Sequence, residues 1–177
     1  MGKRHQHPCP PLDSVSSSDS TPRFLALLDE HRRILYKVAR AYTRSDTDRE
    51  DLVQEIIAQL WRAFPGWDPA RRFSTWMYRI ALNTGISWRR GESRRERRVA
   101  PGDPALLDVA APEPHEPDER LTRLYGFIAE LPEADRALVL LHLDGHRHDV
   151  IAEIMGISES NVATRMHRIK QRLRAKV

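Results

Sequence analysis

The chain has 177 residues, which is enough for one domain or two small ones. Of these residues 40% are hydrophobic and 31% are charged, a composition that argues against a membrane protein. We expect no membrane insertion, because no apolar run reaches the roughly 20 residues of a spanning helix. We expect a cytoplasmic protein, because the N-terminus lacks an apolar signal core and the single cysteine, Cys9, cannot form an internal disulfide. A formal net charge of +4 favours a polyanionic partner.

Charge is unevenly distributed along the chain. A basic block at residues 89–98 is followed by an acidic, proline-punctuated stretch from Asp103 to Glu119, and the C-terminus from Arg165 onward is basic again. The pattern predicts two DNA-facing modules on a flexible acidic linker. We expect a disordered tail rich in Ser, Pro and His at residues 1–21, a first domain at 22–98, the linker at 99–117 and a second domain at 118–177.

The first domain begins with two amphipathic segments. Apolar residues at helical spacing predict a first helix from Phe24 to Tyr42. Thr47 and Glu50 have the spacing of a capping box, with Thr47 bonding forward and Glu50 reaching back, and open a second helix that ends near Pro65. Residues 65–72 contain the breakers of a loop.

A third helix is predicted to begin near Ser74. Its apolar stripe makes core packing the expected role of Trp76, and Trp61 and Trp67 are interpreted in the same way. Polar and cationic residues form its other side: Tyr78, Arg79, Asn83, Ser87 and Arg90.

The second domain is helical by the same criteria. Pro132 suits the start of a helix, and Gly145 suits its end. Gly156 then stands where a helix must stop, and Ser158 is placed to cap the next one. That last helix buries a stripe of Val162, Met166, Ile169 and Leu173. The spacing predicts a helix-turn-helix with a basic recognition helix, with an ordinary helical hairpin as the alternative; the fold class is all-α.

Taken together, these segments resemble the extracytoplasmic-function (ECF) group of bacterial sigma factors. The resemblance is carried in order by the Asp-Leu-Val-Gln-Glu helix from Asp51, the Phe-x-x-Trp-x-x-Arg-Ile-Ala-x-Asn helix from Phe73, the pair Leu131-Pro132 and the helix-turn-helix. It implies a factor that binds core RNA polymerase and promoter DNA and directs promoter-specific initiation, with an anti-sigma factor as a further partner, no enzymatic activity, no cofactor and a monomeric free state.

The resemblance also implies three sets of contact residues. Core polymerase is expected to contact Asp51, Leu52, Gln54 and Glu55. The −10 element is expected to contact Asn83, Arg79, Ser87, Arg89 and Arg90, with Asn83 reading a base out of the stack. The −35 element is expected to contact the recognition helix through Ser160, Asn161, Ala163, Thr164, Arg165 and Arg168.

Three features leave alternatives open. The arginines from Arg94 to Arg98 suit DNA backbone contacts or a solvated linker start equally well. His146 and His148 lie where the family usually has an aliphatic or aromatic residue, and together with His142 they leave a metal site or a pH sensor as the alternative. No fourth ligand accompanies them, so we predict structural or solvent-exposed histidines there, and no metal site there or at His5, His7 and Cys9. The rival functions are a stand-alone helix-turn-helix regulator and a sigma-like protein that sequesters partners without starting transcription.

Overall fold

A computed structural model describes residues 17–95 and 119–175, and the side chains of residues 20–91 and 119–175. The predicted all-α class is confirmed in this part of the chain, which contains no strand and a 3-10 turn at Phe64–Gly66. The predictions for the tail before residue 17 and for the linker at 99–117 lie outside it. The helices are α1 (Ser17–Glu30), α2 (Arg32–Tyr42), α3 (Asp46–Ala63), α4 (Phe73–Arg95), α5 (Glu119–Glu130), α6 (Glu133–Leu143), α7 (His148–Met155) and α8 (Glu159–Arg174).

The helix predicted from Phe24 to Tyr42 is two helices, α1 and α2, which meet at His31. The backbone of His31 leaves the helical region, with φ −111° and ψ 10°, so the chain changes direction there. Phe24, at the start of the apolar pattern, packs its ring edge-on against Trp61 and Phe64. Helix α1 also begins at Ser17, inside the segment that was predicted to be disordered.

The predicted capping box of α3 is wrong by two residues. The helix begins at Asp46, and its N-cap is Ser45, whose hydroxyl oxygen accepts a hydrogen bond from the Asp48 backbone N–H at 3.1 Å. Thr47 therefore lies within the first turn. Since Ser45-x-x-Asp48 and Thr47-x-x-Glu50 are similar capping patterns, the sequence did not decide between them.

Helices α2, α3 and α4 pack on one another and form the core of the first domain. Gly85 permits the close approach of α4 to α2, since a Cβ atom at this position would lie 2.8 Å from the Tyr42 ring. An Ala at position 85 would have to displace that buried ring.

The helix-turn-helix of the second domain is formed by α7 and α8. Gly156 adopts φ 67°, the left-handed conformation expected of it, and ends α7. The Ser158 hydroxyl accepts from the Asn161 N–H at 3.3 Å and caps α8, as predicted. Val162, Met166 and Ile169 are buried, but Leu173 is 39% exposed, so the predicted stripe ends one turn early.

The two domains are in direct contact, which the sequence did not indicate. Helix α2 touches α5 and α6, and α4 touches α6 and α7. At the centre, the Tyr42 hydroxyl donates to the Glu133 carbonyl at 2.8 Å, and buried Arg136 donates to the Ala41 carbonyl at 3.2 Å. The faces of α4 that remain open are therefore set by both domains.

Candidate nucleic-acid and polymerase interface

The predicted −10 residues form one line along α4. Arg79, Asn83, Ser87 and Arg90 are all exposed, and their spacing of three or four residues places them on a single helix face. Arg89 lies beside this line and is half-buried. The line is about 16 Å long, from the rise of 1.5 Å per residue. Its side chains present one amide and several cations along a continuous path.

The opposite side of α4 holds this line in place. Met77, Ala81 and Leu82 are buried in the core of the first domain. Tyr78, which was predicted on the polar side, is only 3% exposed, so that prediction is wrong. Its hydroxyl donates to the Asp144 carboxylate, and its ring meets His146 edge-on at 5.3 Å. A third part of the helix surface is thus covered by the second domain.

An aromatic cluster supports the loop at residues 65–72. Trp67 stacks on Phe64 with ring centroids 5.7 Å apart, and both Trp67 and Trp76 contact Phe73 at 5.3 Å. Trp67 and Trp76 are half-buried against the core, in agreement with the packing role expected of them. Trp61 meets that expectation only in part, because its ring packs against Phe24 but remains 38% exposed on α3.

A cavity of about 450 Å³ lies between this loop and α7. Its walls carry both signs of charge, with cations from the first domain and a carboxylate from the second. Burial lowers the pKa of His146, which favours the neutral imidazole at this contact. The principal polar and aromatic lining residues are Arg71, Arg72, Trp76, Arg79, His146 and Glu153.

The residues predicted to contact core polymerase divide into two groups on α3. Asp51 is exposed, and Gln54 and Glu55 are half-buried on the outer face, where Glu55 accepts from the Gln59 side chain at 2.8 Å. Leu52 is fully buried. A side chain inside the core cannot reach a partner, so Leu52 is withdrawn as a contact residue and instead anchors the helix. Exposed Trp61, seven residues after Gln54, extends the outer face.

The predicted −35 residues form the exposed side of α8, with one exception. Ser160, Asn161, Ala163, Thr164 and Arg168 are exposed. The Arg165 guanidinium is instead paired with the Asp135 carboxylate of α6 at 2.6 and 2.8 Å. Because that pair is mostly buried, we correct the assignment of Arg165 from base contact to positioning of α8 on α6. The sequence contained no signal for the Asp135 partner, 30 residues away.

The histidines of the second domain lie near one another. The rings of His142 and His148 are 6.4 Å apart, and burial lowers the pKa of His142. No group of three or more His, Cys, Asp or Glu side chains suited to a metal ion occurs in residues 17–95 and 119–175. His5, His7 and Cys9 lie outside the described residues.

Both halves of the chain match known sigma-factor regions. Residues 27–95 match Sigma-70 region 2, and residues 121–173 match Sigma-70 region 4. The first match contains the α3 and α4 faces described above, and the second contains the helix-turn-helix. None of the helices in the described residues is long and apolar enough to cross a membrane.

Whole-chain relatives agree with these regional matches. The chain is 31% identical over 158 residues to the ECF RNA polymerase sigma-E factor of Escherichia coli K12, covering 82% of this chain and 83% of that protein. It is 27% identical over 167 residues to the ECF RNA polymerase sigma factor SigE of Mycolicibacterium smegmatis, covering 92% of this chain but only 65% of that longer protein.

A solved structure has the same fold. The sigma factor RpoE from Bartonella quintana, in complex with the anti-sigma factor NepR, aligns with a TM-score of 0.62 at 20% identity, covering 89% of this chain and 95% of that one. Paired regions 2 and 4 in one chain and ECF relatives along most of its length do not fit a stand-alone helix-turn-helix regulator. The chain belongs to the extracytoplasmic-function group of RNA polymerase sigma factors and acts in promoter-specific initiation of transcription.

Proposed function

We propose that this sigma factor docks on core RNA polymerase through the outer face of α3, reads the melted −10 element with the exposed line on α4, and reads the −35 element with α8. The observation that carries the proposal is the exposed line Arg79, Asn83, Ser87 and Arg90, combined in one chain with a capped recognition helix. A regulator that used the helix-turn-helix alone would have no need for this line.

Asn83 is the base-reading group of the −10 surface. A carboxamide carries both donors and acceptors, so it can pair with the edge of a base that has left the stack. Unstacking costs a few kcal/mol, and hydrogen bonds in the protein must replace what is lost. Arg79 and Arg90, on the same face, hold phosphates on either side of that base, since guanidinium groups suit phosphate geometry. Arg89 and Ser87 add backbone contacts.

Core polymerase docks on Asp51, Gln54 and Glu55, which combine charge with the adjacent apolar surface of Trp61. Such a mixture gives both contact area and register. We expect the double substitution Gln54→Ala and Glu55→Ala to weaken core binding at least tenfold, measured by fluorescence anisotropy of the labelled protein. The exposed pair Arg123 and Glu119 on α5 provides the control, and Glu119→Gln is expected to bind like wild type. Unchanged affinity in the double variant would remove α3 from the docking surface.

On α8, Asn161 and Ser160 at the capped N-terminus lie where base edges are read, and Thr164 lies one turn further along. The Thr164 hydroxyl donates to the Ser160 carbonyl at 2.9 Å, which leaves its oxygen able to accept from a base. Ala163 adds apolar contact, and exposed Arg168 contacts phosphate. Paired Arg165 keeps this face at a fixed angle to α6.

Arg168→Ala is expected to weaken binding to −35 duplexes about equally for matched and mismatched sequences, and to reduce the slope of log K against log salt by about 1. The reason is that a phosphate contact carries charge but no sequence information. Titration of isolated duplexes at several salt concentrations, with the polymerase holoenzyme, measures both quantities. Arg123→Ala, which removes an exposed cation from α5, is the control. A loss confined to the matched sequence would instead make Arg168 a base-reading residue.

The remaining proposals concern organisation and partners. We propose domains at residues 22–98 and 118–177, with α1 extending the first back to Ser17, and a linker at 99–117 in the cytoplasm between polymerase-bound domains. The free protein is a monomer with no catalytic activity and no cofactor. An anti-sigma factor is a further partner; the RpoE relative was solved with one. It would cover the α3 face or hold the two domains together.

A further inference from the structure

The cavity between the loop at residues 65–72 and α7 is lined by opposite charges that do not meet. Arg71, Arg72 and Arg79 belong to the first domain, and Glu153 belongs to α7. Within the side chains of residues 20–91 and 119–175, none of these four forms an ion pair. Since charged groups that face a cavity without pairing leave their hydrogen bonds available, they suit a ligand that carries both acceptors and donors.

The arginine side of the cavity suits phosphate groups. Guanidinium groups donate paired hydrogen bonds that match the geometry of phosphate oxygens. Arg71 and Arg72 directly precede α4, whose first turn adds the hydroxyls of Ser74 and Thr75 to the lining. The first N–H groups of a helix have no acceptor within it, and the helix dipole is positive at this end. Because the cations outnumber the carboxylate, the lining favours a ligand with more than one negative charge.

The cavity also offers a surface for an aromatic ring. Trp76 lines it, and the indole is supported by Phe73 at 5.3 Å and by Trp67 at 6.3 Å between ring centroids. Val150 and Ile154 contribute apolar lining from α7. A nucleobase stacks on an indole whichever base it is, because every base presents a π-face.

Glu153 supplies an acceptor of the kind that holds a sugar. Proteins that bind nucleotides commonly place a carboxylate where it accepts from the ribose 2′-hydroxyl. Glu153 is exposed on α7 and lines the cavity. A carboxylate in this position would repel a phosphate, so it fits a ligand whose hydroxyl groups lie against α7 and whose phosphates lie on the arginine side.

We propose that this cavity binds a free ribonucleoside diphosphate, with the phosphates on Arg71 and Arg72, the base on Trp76 and the ribose hydroxyls on Glu153. Its volume of about 450 Å³ lies within the roughly 300–1,000 Å³ of small-molecule sites. The inference goes beyond the function proposed above. Arg79 lines the cavity and also belongs to the proposed −10 surface, so its substitution is left out of the test.

Isothermal titration calorimetry of the free, full-length chain tests the site, with ADP as the probe. Inorganic pyrophosphate, adenosine and 2′-deoxy-ADP separate the contributions of the phosphates, the base and the ribose. The double variant Arg71→Gln and Arg72→Gln removes two cations, and Glu153→Gln removes the carboxylate. All three side chains are exposed, so helical content measured by circular dichroism should stay at the wild-type value.

Matched controls remove the same charges elsewhere. Arg172→Gln with Arg174→Gln removes two exposed cations from α8, and Glu119→Gln removes an exposed carboxylate from α5. Both controls should bind ADP like wild type, because neither position lines the cavity.

We expect ADP to bind with micromolar affinity, about tenfold or more tightly than pyrophosphate or adenosine and about fivefold more tightly than 2′-deoxy-ADP. The double arginine variant should weaken ADP binding about tenfold or more, because charge-assisted hydrogen bonds to phosphate are lost. Glu153→Gln should bring the affinities for ADP and 2′-deoxy-ADP to within about twofold of each other.

Absence of ADP binding by the wild type would overturn the proposal. Pyrophosphate that binds as tightly as ADP would reduce the site to an anion-binding patch, and cavity variants that bind ADP like wild type would place the nucleotide elsewhere. Equal binding of ADP and 2′-deoxy-ADP, with displacement by a single-stranded −10 oligodeoxynucleotide, would assign the cavity to promoter DNA instead. The titrations contain no polymerase, so their failure leaves the initiation function untouched, and a loss of transcripts would not alter their result.

Discussion

Replacing Asn83 by alanine is expected to lower run-off transcription about tenfold or more while leaving the affinity for core polymerase unchanged. A side chain that pairs with two atoms of a base contributes about 1–3 kcal/mol of discrimination. Asn83 is exposed on α4, and its loss removes no packing. The energy required to hold a base out of the stack then goes uncompensated, so the barrier to open-complex formation rises.

A promoter template whose −10 element is already melted distinguishes an effect of Asn83 on opening the DNA duplex from its effect on contacting the unstacked base. The Asn83→Ala defect should shrink on such a template, because part of the opening has already been done, but should not disappear. Arg123→Ala changes an exposed side chain on α5, away from the proposed DNA and polymerase contacts, and is the control for general effects of side-chain removal. Equal transcription by Asn83→Ala and wild type on duplex promoters would exclude Asn83 as a base-reading residue.

Arg136→Leu is expected to destabilise the protein by about 3 kcal/mol or more. Arg136 is 4% exposed, and its guanidinium donates to the carbonyls of Leu131 at 2.8 Å, Ala41 at 3.2 Å and Ala129. A buried acceptor left without a donor costs about 1–3 kcal/mol. Burial lowers the pKa of Arg136, but arginine remains protonated at neutral pH, so its donors are always available.

Urea denaturation followed by circular dichroism measures this loss of stability. Arg123→Leu removes an exposed arginine from α5 and should change the free energy of unfolding by no more than about 0.5 kcal/mol. A change below 1 kcal/mol in Arg136→Leu would mean that water replaces the guanidinium at these three carbonyls. Because Ala41 belongs to the first domain, we also expect the variant to weaken the contact between the domains.

Features that depend on local chemistry could be predicted from the sequence. The left-handed Gly156 and the Ser158 cap follow from residues within a few positions of each other, and so does the exposed line on α4, which needs only the helical period. Local patterns did not predict the start of α3, because two overlapping capping patterns compete at Ser45 and Thr47. They also did not predict the break at His31, because the apolar pattern continues across it.

Features that depend on distant partners could not be predicted. Arg165 has the residue type and position of a base contact, but Asp135 of α6 pairs with it. Tyr78 lies on the polar side of α4 by its spacing, but it is buried because Asp144 and His146 of the second domain cover it. Leu52 is a different case: the family resemblance implies a polymerase contact, but its helical spacing with Ile56 and Leu60 already places it on the buried face of α3. For Arg165 and Tyr78 the deciding neighbour is set by the tertiary packing, which no periodicity encodes.

The most direct test of the central claim is run-off transcription with purified core RNA polymerase and a library of promoter fragments, with and without this protein. The account predicts discrete transcripts from a subset of fragments that share a −10 and a −35 element, and none of these transcripts with core polymerase alone. An absence of such transcripts, together with tight binding of the protein alone to duplex DNA, would contradict the assignment as an initiation factor.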